Sequence, residues 1–269
     1  MLIYIISLSF LFLFKNKFRL SSNSVVSFND FKVSRRGSES LKTSEFRGSV
    51  PYATLSLLRN MVLKSWIPIE KLNWNTLSIN PNAISLLEKN KEKINWWYLS
   101  SNPNAISILK HNPMKINWIF FSENPNAISI LEKNPDKIKW FYFSMNPSAI
   151  PLLLKNPHKI CWDSLSLNPS AIKILEDNPN KIDWENLSEN SGAIHLLEKN
   201  PDKIYWKYLS KNPNAIHLLE KNPEKIDWNY LSKNPNAIHL LEKNQEKINW
   251  DYFSMNPSIF TKKMIFTRI

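Results

Sequence analysis

The sequence has very little glycine and cysteine, and both shortages exclude whole classes of protein. Its 269 residues include 3 glycines and 1 cysteine. A single thiol, Cys161, excludes a disulfide framework and a cysteine-based zinc cluster. Three glycines cannot build most phosphate-binding loops, and no GxGxxG, GxxxxGKS, HExxH or GxSxG string occurs. The chain is nevertheless long enough to bury a core without disulfide or metal staples.

The chain is basic, but the basic charge is concentrated at its ends. The formal net charge is +12, which by itself would suggest a nucleic-acid partner. Residues 71–256 carry 22 basic and 19 acidic side chains, and residues 1–70 carry 10 and 4. The central part of the chain therefore has almost no excess charge, and we do not expect nucleic acid to be its partner.

A repeat of 22 residues runs through the chain. Fourteen of the 17 prolines directly follow asparagine, and a unit such as NPNAIHLLEKNPEKIDWNYLSK contains two such Asn-Pro steps. A fixed period of this length indicates stacked supersecondary units. The period is set by nine of the eleven tryptophans, which are Trp74, Trp96, Trp118, Trp140, Trp162, Trp184, Trp206, Trp228 and Trp250.

Each Asn-Pro step predicts the start of a helix. Asparagine is a favoured helix N-cap, and proline suits the first helical position. After Pro213, the residues Ala215, Ile216, Leu218 and Leu219 fall on one helical stripe. The sequence therefore predicts an all-α solenoid of about nine units of short paired helices. We place the repeat tryptophans in the core shared between units and expect the array to extend about 70–90 Å.

A leucine-rich-repeat-like solenoid is the alternative architecture, because its period is similar. Such a repeat needs a strand before an asparagine ladder, whereas here proline follows most of the asparagines and removes donors. We therefore favour the helical solenoid.

The repeats resemble those of a family of uncharacterised proteins encoded by giant DNA viruses of amoebae. Units such as LSKNPNAIHLLEKNPEKIDWNYLS and the lead-in LKSWIPIEKLNW carry the resemblance, which covers about residues 63–260. The resemblance implies a short-helix solenoid, similar in style to leucine-rich-variant repeats, and brings no catalytic residue or cofactor. Similar proteins continue into a longer helical cap, so the resemblance implies that residues 257–269 are a short tail from a truncated cap.

The N-terminal region, residues 1–60, has no repeat. Residues 2–14 are an apolar run of 13, which is short for a membrane span. Two interpretations stay open for it: a signal or membrane anchor, and a non-functional extension before a true start at Met61. The rest of this region is rich in serine and basic residues, which predicts a disordered linker before a solenoid over residues 61–256.

The histidines and carboxylates of the array recur in columns, which argues against a catalytic or metal site. His195, His217 and His239 occupy one column, but stacked units would hold equivalent atoms about 8–10 Å apart, too far for shared zinc ligation. A solvated polar column is the better interpretation. Glutamates such as Glu198 also belong to a surface column. We predict no catalytic residue, no metal and no cofactor, and no enzymatic activity.

One column does single out a candidate site. The residue after the repeat tryptophan is polar in six units, but it is Trp97, Ile119 and Phe141 in three consecutive ones. Met145 and Leu167 are also apolar where most units are polar. Either the superhelix buries this column locally, or these five residues form a partner-binding or dimer surface.

The function that we expect is a non-catalytic protein–protein interaction scaffold of a large DNA virus, with a viral or host protein as partner, in the host cytoplasm or the virion. A nucleic-acid-binding repeat protein and a membrane-tethered or secreted array, held through residues 2–14, are the alternatives. The sequence makes no prediction of oligomeric state.

Overall fold

The computed structural model describes residues 55–268, and side chains over residues 61–263. The expected signal, anchor or extension at residues 2–14 and most of the linker lie outside the described residues. Met61–Thr261 form one compact unit, which contains the whole repeat array. None of the helices in the described part of the chain has the length and hydropathy needed to cross a membrane.

The array is an all-α solenoid of short helices, as predicted. Each of the first eight units contains two α-helices, and we name these by their first residues. The tryptophan helices are Trp74–Leu77, Trp96–Ser101, Trp118–Glu123, Trp140–Met145, Trp162–Ser166, Trp184–Glu189, Trp206–Leu209, Trp228–Leu231 and Trp250–Ser254. The isoleucine helices are Ile84–Glu88, Ile106–His111, Ile128–Leu131, Ile150–Lys155, Ile172–Glu176, Ile194–Lys199, Ile216–Lys221 and Ile238–Lys243.

Single turns of 3₁₀ helix join these α-helices. One set precedes the tryptophan helices, and its members are Ile69–Lys71, Lys91–Lys93, Pro113–Lys115, Pro135–Lys137, Pro157–Lys159, Pro179–Lys181, Pro201–Lys203, Pro223–Lys225 and Gln245–Lys247. The other set follows the first Asn-Pro step of five units, as Pro81–Ala83, Pro103–Ala105, Pro213–Ala215, Pro235–Ala237 and Pro257–Ile259.

The helix starts follow from their caps. Six of the nine tryptophan helices begin after an Asn or Asp whose side chain accepts hydrogen bonds from backbone N–H groups of the first turn, as a favoured N-cap residue does. These residues are Asn73, Asn95, Asn117, Asp183, Asp227 and Asn249. The second Asn of each unit acts differently from the prediction. Its side-chain amide donates a hydrogen bond to a carbonyl oxygen four residues earlier, as Asn90 does to Leu86 at 2.9 Å. It therefore caps the C-terminal end of the preceding isoleucine helix.

Three buried columns form the core. In unit 7, which contains Trp206, they are represented by Leu209, Ala215 and Leu219, all with no exposed surface. In three units a phenylalanine replaces the first leucine, as Phe121, Phe143 and Phe253. Burying each of these leucine or phenylalanine side chains contributes about 1.5–3 kcal/mol to folding.

The repeat tryptophans lie at the edge of this core, and the prediction that they fill it is wrong in that respect. They are partly buried and pack against the leucine and alanine columns. The ammonium group of a lysine from the next unit covers several of the rings, as Lys203 does 4.5 Å from the centroid of Trp184. Such a cation–π contact adds about 0.5–1 kcal/mol.

Hydrogen bonds from buried asparagines join neighbouring units. The side-chain amide of Asn212 donates to the carbonyl oxygens of Ser188 and Asn190 in the preceding unit, at 3.0 and 2.8 Å. Its Oδ1 atom accepts from the backbone N–H of Asn214. An asparagine ladder therefore exists here without strands, and the expectation that the prolines exclude such a ladder is wrong, because the donors are side-chain amides and not backbone N–H groups. The ladder residues are Asn80, Asn102, Asn124, Asn146, Asn168, Asn190, Asn212, Asn234 and Asn256.

The array closes on itself, so the expectation of an open array 70–90 Å long is wrong. Asn80 of unit 1 donates to the carbonyl oxygens of Ser254 and Asn256 of unit 9, at 3.0 and 2.8 Å. These are the same bonds that join sequential units. Lys71 also covers the ring of Trp250 at 4.9 Å, as lysines do between sequential units. The nine units form a closed ring with nine equivalent joints.

Within the described residues, the ninth unit has a tryptophan helix and no isoleucine helix. Strands β1 (Leu55–Leu63) and β2 (Phe260–Arg268) form a two-stranded sheet, and β2 directly follows the 3₁₀ turn Pro257–Ile259 of the ninth unit. Residues 55–60, predicted as linker, and 260–268, predicted as a short tail, are thus strands. Ile67 and Ile259 are buried at this place, and the backbone N–H of Lys64 donates to the carbonyl oxygen of Ile259.

Candidate interaction surface

The tryptophan helices form the inner layer of the ring. Among the contacts between α-helices of neighbouring units, those between tryptophan helices are the most extensive, and they include the contact of Trp250–Ser254 with Trp74–Leu77. The side chain five positions after each repeat tryptophan is partly or fully buried. We call this set the inner column, and its members are Ile79, Ser101, Glu123, Met145, Leu167, Glu189, Lys211, Lys233 and Met255.

Charges within the inner column interact across the ring. Lys211 pairs with Glu189 of the neighbouring unit. Burial raises the pKa of Glu123 to about 7, while a hydrogen bond with Ser101 and the charge of Lys211 oppose the rise. Lys211 lies four units from Glu123, the largest separation that a ring of nine allows. Side chains so far apart along the ring approach each other only if both point to its centre.

Lys233 completes this central cluster. Burial lowers its pKa to about 8, and the neighbouring charge of Lys211 lowers it further, whereas Glu189 raises it. Its ammonium group lies 4.1 Å from the ring centroid of Tyr252. The four charged members of the inner column, Glu123, Glu189, Lys211 and Lys233, are not among the site residues predicted from the sequence. The sequence shows that this column is charged in some units and apolar at Met145 and Leu167. No local sequence pattern indicates that the column faces the centre of the ring.

Trp97, Ile119 and Phe141 lie in three successive units, and we call them the apolar arc. Their exposed fractions are 66, 39 and 54%. Exposure excludes the alternative that curvature of the array buries this column. The corresponding residues of most other units are polar and exposed, for example Asp163 and Glu185.

Met145 and Leu167 are separate from the apolar arc. Met145 lies one helical turn after Phe141, on the same side of its helix, but it belongs to the inner column and is partly buried. Leu167 occupies the inner column of the next unit and is also partly buried. The five predicted residues thus divide into an exposed arc and two inward-facing side chains.

A groove adjoins the arc at its first residue. It lies between units 2 and 3, and its walls include Ile94, Trp97, Met114, Lys115 and Ile116. Met114 is 94% exposed, in a column where most units carry a polar or charged side chain. Met114 is not among the site residues predicted from the sequence, although an apolar side chain in this polar column is a signal that the sequence contains.

The histidine column is exposed, as expected of a solvated polar column. Each histidine contacts a glutamate of the preceding unit, and the pairs are His195 with Glu176, His217 with Glu198 and His239 with Glu220, at 2.9 to 3.0 Å. Among the described residues, no group of three or more His, Cys, Asp or Glu side chains is arranged to hold a metal ion. Cys161 is a partly buried free thiol.

No protein family model matches the chain, and no curated protein and no solved structure matches it either.

Proposed function

We propose that this protein is a non-catalytic scaffold that binds another protein through the apolar arc. The single observation that supports this function most strongly is the exposure of Trp97, Ile119 and Phe141 in three successive units. Adjacent exposed large apolar side chains are unusual on a monomeric protein and mark interaction surfaces. Aromatic anchors that become desolvated at an interface can each contribute about 2 kcal/mol or more to binding.

The ring geometry suits this role. Each unit is held by hydrogen bonds to both neighbours, so the three side chains project from a preorganised framework. Binding then requires little ordering of the backbone, and preorganisation of this kind favours affinity. Repeat arrays commonly present such continuous surfaces to a partner.

The resemblance of the repeats to those of giant-virus proteins supports the rest of the proposal. On this basis the partner is a viral or host protein, and the scaffold acts in the host cytoplasm or the virion. Nucleic-acid binding is less well supported, because basic and acidic side chains nearly balance over residues 71–256.

Affinity capture from infected host cells tests the proposed function. The bait is the full chain, compared with a triple variant carrying Trp97→Asn, Ile119→Asp and Phe141→Lys, which leaves the net charge unchanged. We expect at least one protein to bind the unsubstituted bait and to be lost from the variant. The free energy of unfolding of the variant should stay within about 0.5 kcal/mol of that of the unsubstituted chain. Identical captured proteins for both baits would contradict the proposal, and so would unfolding of the variant.

A further inference from the structure

The basic charge of the ring is concentrated in the sector that carries the apolar arc. Residues 91–156 contain eight lysines and four acidic residues, whereas residues 157–256 contain 12 lysines and 14 acidic residues. One of the four acids is Glu123, which points inward. The sector outside the ring centre is therefore more basic still, and the remainder of the ring is slightly acidic.

Two of these lysines flank the apolar arc directly. Lys115 lines the groove with Trp97, and Lys139 lies two residues before Phe141, where six other units have an Asn or Asp cap. Both side chains are exposed. Within residues 61–263, neither forms a salt bridge with a carboxylate of this chain.

The same sector holds most of the exposed apolar surface of the ring. Besides the arc, it carries Met114 and Leu154, with exposed fractions of 94 and 58%. Leu154 occupies a column that is glutamate in six of the eight isoleucine helices. Apolar and basic side chains thus replace acidic ones in the same part of the ring.

We infer that the apolar arc binds an acidic segment of a partner protein, whose apolar side chains pack on Trp97, Ile119 and Phe141 while its carboxylates pair with Lys115 and Lys139. The inference rests on the proposed function and specifies the chemistry of the partner. Complementary charge around an apolar centre speeds encounter and rejects basic partners. Short amphipathic segments commonly bind such grooves through apolar residues on one face.

An anionic membrane surface also combines negative charge with an apolar layer. The groove favours a peptide, because its walls include the two asparagines Asn95 and Asn117. Their Oδ1 atoms cap the tryptophan helices, and the side-chain amide of Asn95 donates to Asn75. The side-chain amide N–H of Asn117 is therefore the group that can donate to a peptide carbonyl oxygen. A bilayer surface is flat and would leave the walls of a groove without contact.

Fluorescence anisotropy with a defined probe tests the inference on the full chain. The probe is a fluorescein-labelled peptide of about 16 residues that alternates pairs of glutamate with pairs of leucine or phenylalanine, and the matched peptide has glutamine for every glutamate. We expect saturable binding of the acidic peptide, at least about tenfold tighter than that of the glutamine peptide. We also expect the affinity to fall as salt is raised.

Charge-reversed variants locate the binding site. Lys115→Glu with Lys139→Asp should weaken acidic-peptide binding at least about tenfold, and the aspartate reproduces the helix cap of units 6 and 8. The control, Lys181→Glu with Lys199→Glu, changes the net charge equally in another sector and should leave affinity unchanged. The triple arc variant should also lose binding.

Three results would overturn the inference. They are equal binding of the acidic and glutamine peptides, equal losses in the two charge-reversed variants, and binding of phosphatidylserine vesicles without binding of the acidic peptide. If any of these occurs while the arc variant still loses its captured partner, the proposed interaction surface stands and only the acidic chemistry of the partner is wrong.

Discussion

The side-chain amide nitrogen of Asn80 lies 2.8 Å from the carbonyl oxygen of Asn256, although these residues belong to the first and last units of the array. The equivalent distance between Asn102 and Asn80, in sequential units, is 2.9 Å. Because the end joint has the geometry of an internal joint, every unit has two neighbours. A closed ring has no terminal unit that needs a polar capping repeat, unlike an open solenoid.

The asparagine ladder should contribute strongly to stability at every joint. Asn168→Ala removes the two hydrogen bonds that its side-chain amide donates to the buried carbonyl oxygens of Ser144 and Asn146, and a third that its Oδ1 atom accepts from the backbone N–H of Ser170. We expect a loss of about 2–4 kcal/mol in the free energy of unfolding, measured by urea denaturation. Asn80→Ala should cost the same, because the ring makes the end joint equivalent. The control Asn180→Ala alters an exposed asparagine and should change stability by less than about 0.5 kcal/mol.

The repeat tryptophans should stabilise the fold, unlike the tryptophan of the apolar arc. Trp184 packs against the core, so Trp184→Ala should lower the free energy of unfolding by about 3 kcal/mol. Lys203→Ala removes only the cation–π contact and should cost at most about 1 kcal/mol. Trp97→Ala is the matched control, since Trp97 is 66% exposed, and its loss should be near zero. Equal effects of the two tryptophan substitutions would mean that Trp184 does not pack against the core.

The inner column should make stability depend on pH in two windows. Glu123 binds its proton more tightly in the folded chain, since its pKa rises from 4.5 to about 7. Folding stability should therefore fall as the pH rises from 4.5 to 7. Glu123→Gln should flatten this decline, which we expect to be on the order of 2 kcal/mol. Urea unfolding midpoints at pH 4.5 and 7 measure it, and an unchanged slope in the variant would show that Glu123 is not the group responsible.

Lys233 should act in the opposite direction at higher pH. Its pKa falls from 10.5 to about 8 in the folded chain, so the unfolded chain binds more protons between these values. Stability should therefore rise with pH from 8 to 10.5. Lys233→Met should remove that rise, and unfolding midpoints at pH 8 and 10 measure it. A rise of the same size in the variant would assign it to another group.

Local features of the fold were predictable from the sequence, because they depend on neighbouring residues. The caps at residues such as Asn95 and Asp227 and the apolar stripe of Ile216–Lys221 follow from spacing alone. The exposed arc was also visible, since aligned units show where a polar column becomes apolar. These signals need no knowledge of how successive units are oriented.

Ring closure and the inner column were not predictable in this way. Closure divides a full turn among nine units, so each unit must be rotated by about 40° relative to the one before it. This rotation is the sum of many small packing effects between neighbouring units. Glu123 and Lys211 come together only because the ring closes. The position of their charges at its centre is a consequence of the whole array and not of any single unit.

Ring closure is the central claim, and spin labels at its ends test it most directly. One sample carries labels at Asn75→Cys and Asp251→Cys, in units 1 and 9, and the matched sample carries them at Asp163→Cys and Glu185→Cys, in neighbouring units. All four positions are exposed and equivalent in the repeat, and both samples use a Cys161→Ser background. Continuous-wave electron paramagnetic resonance spectra should show the same strong dipolar broadening in both samples, as expected for labels in units about 8–10 Å apart. Broadening of the neighbouring pair without broadening of the end pair would show that the array is open and would contradict the account.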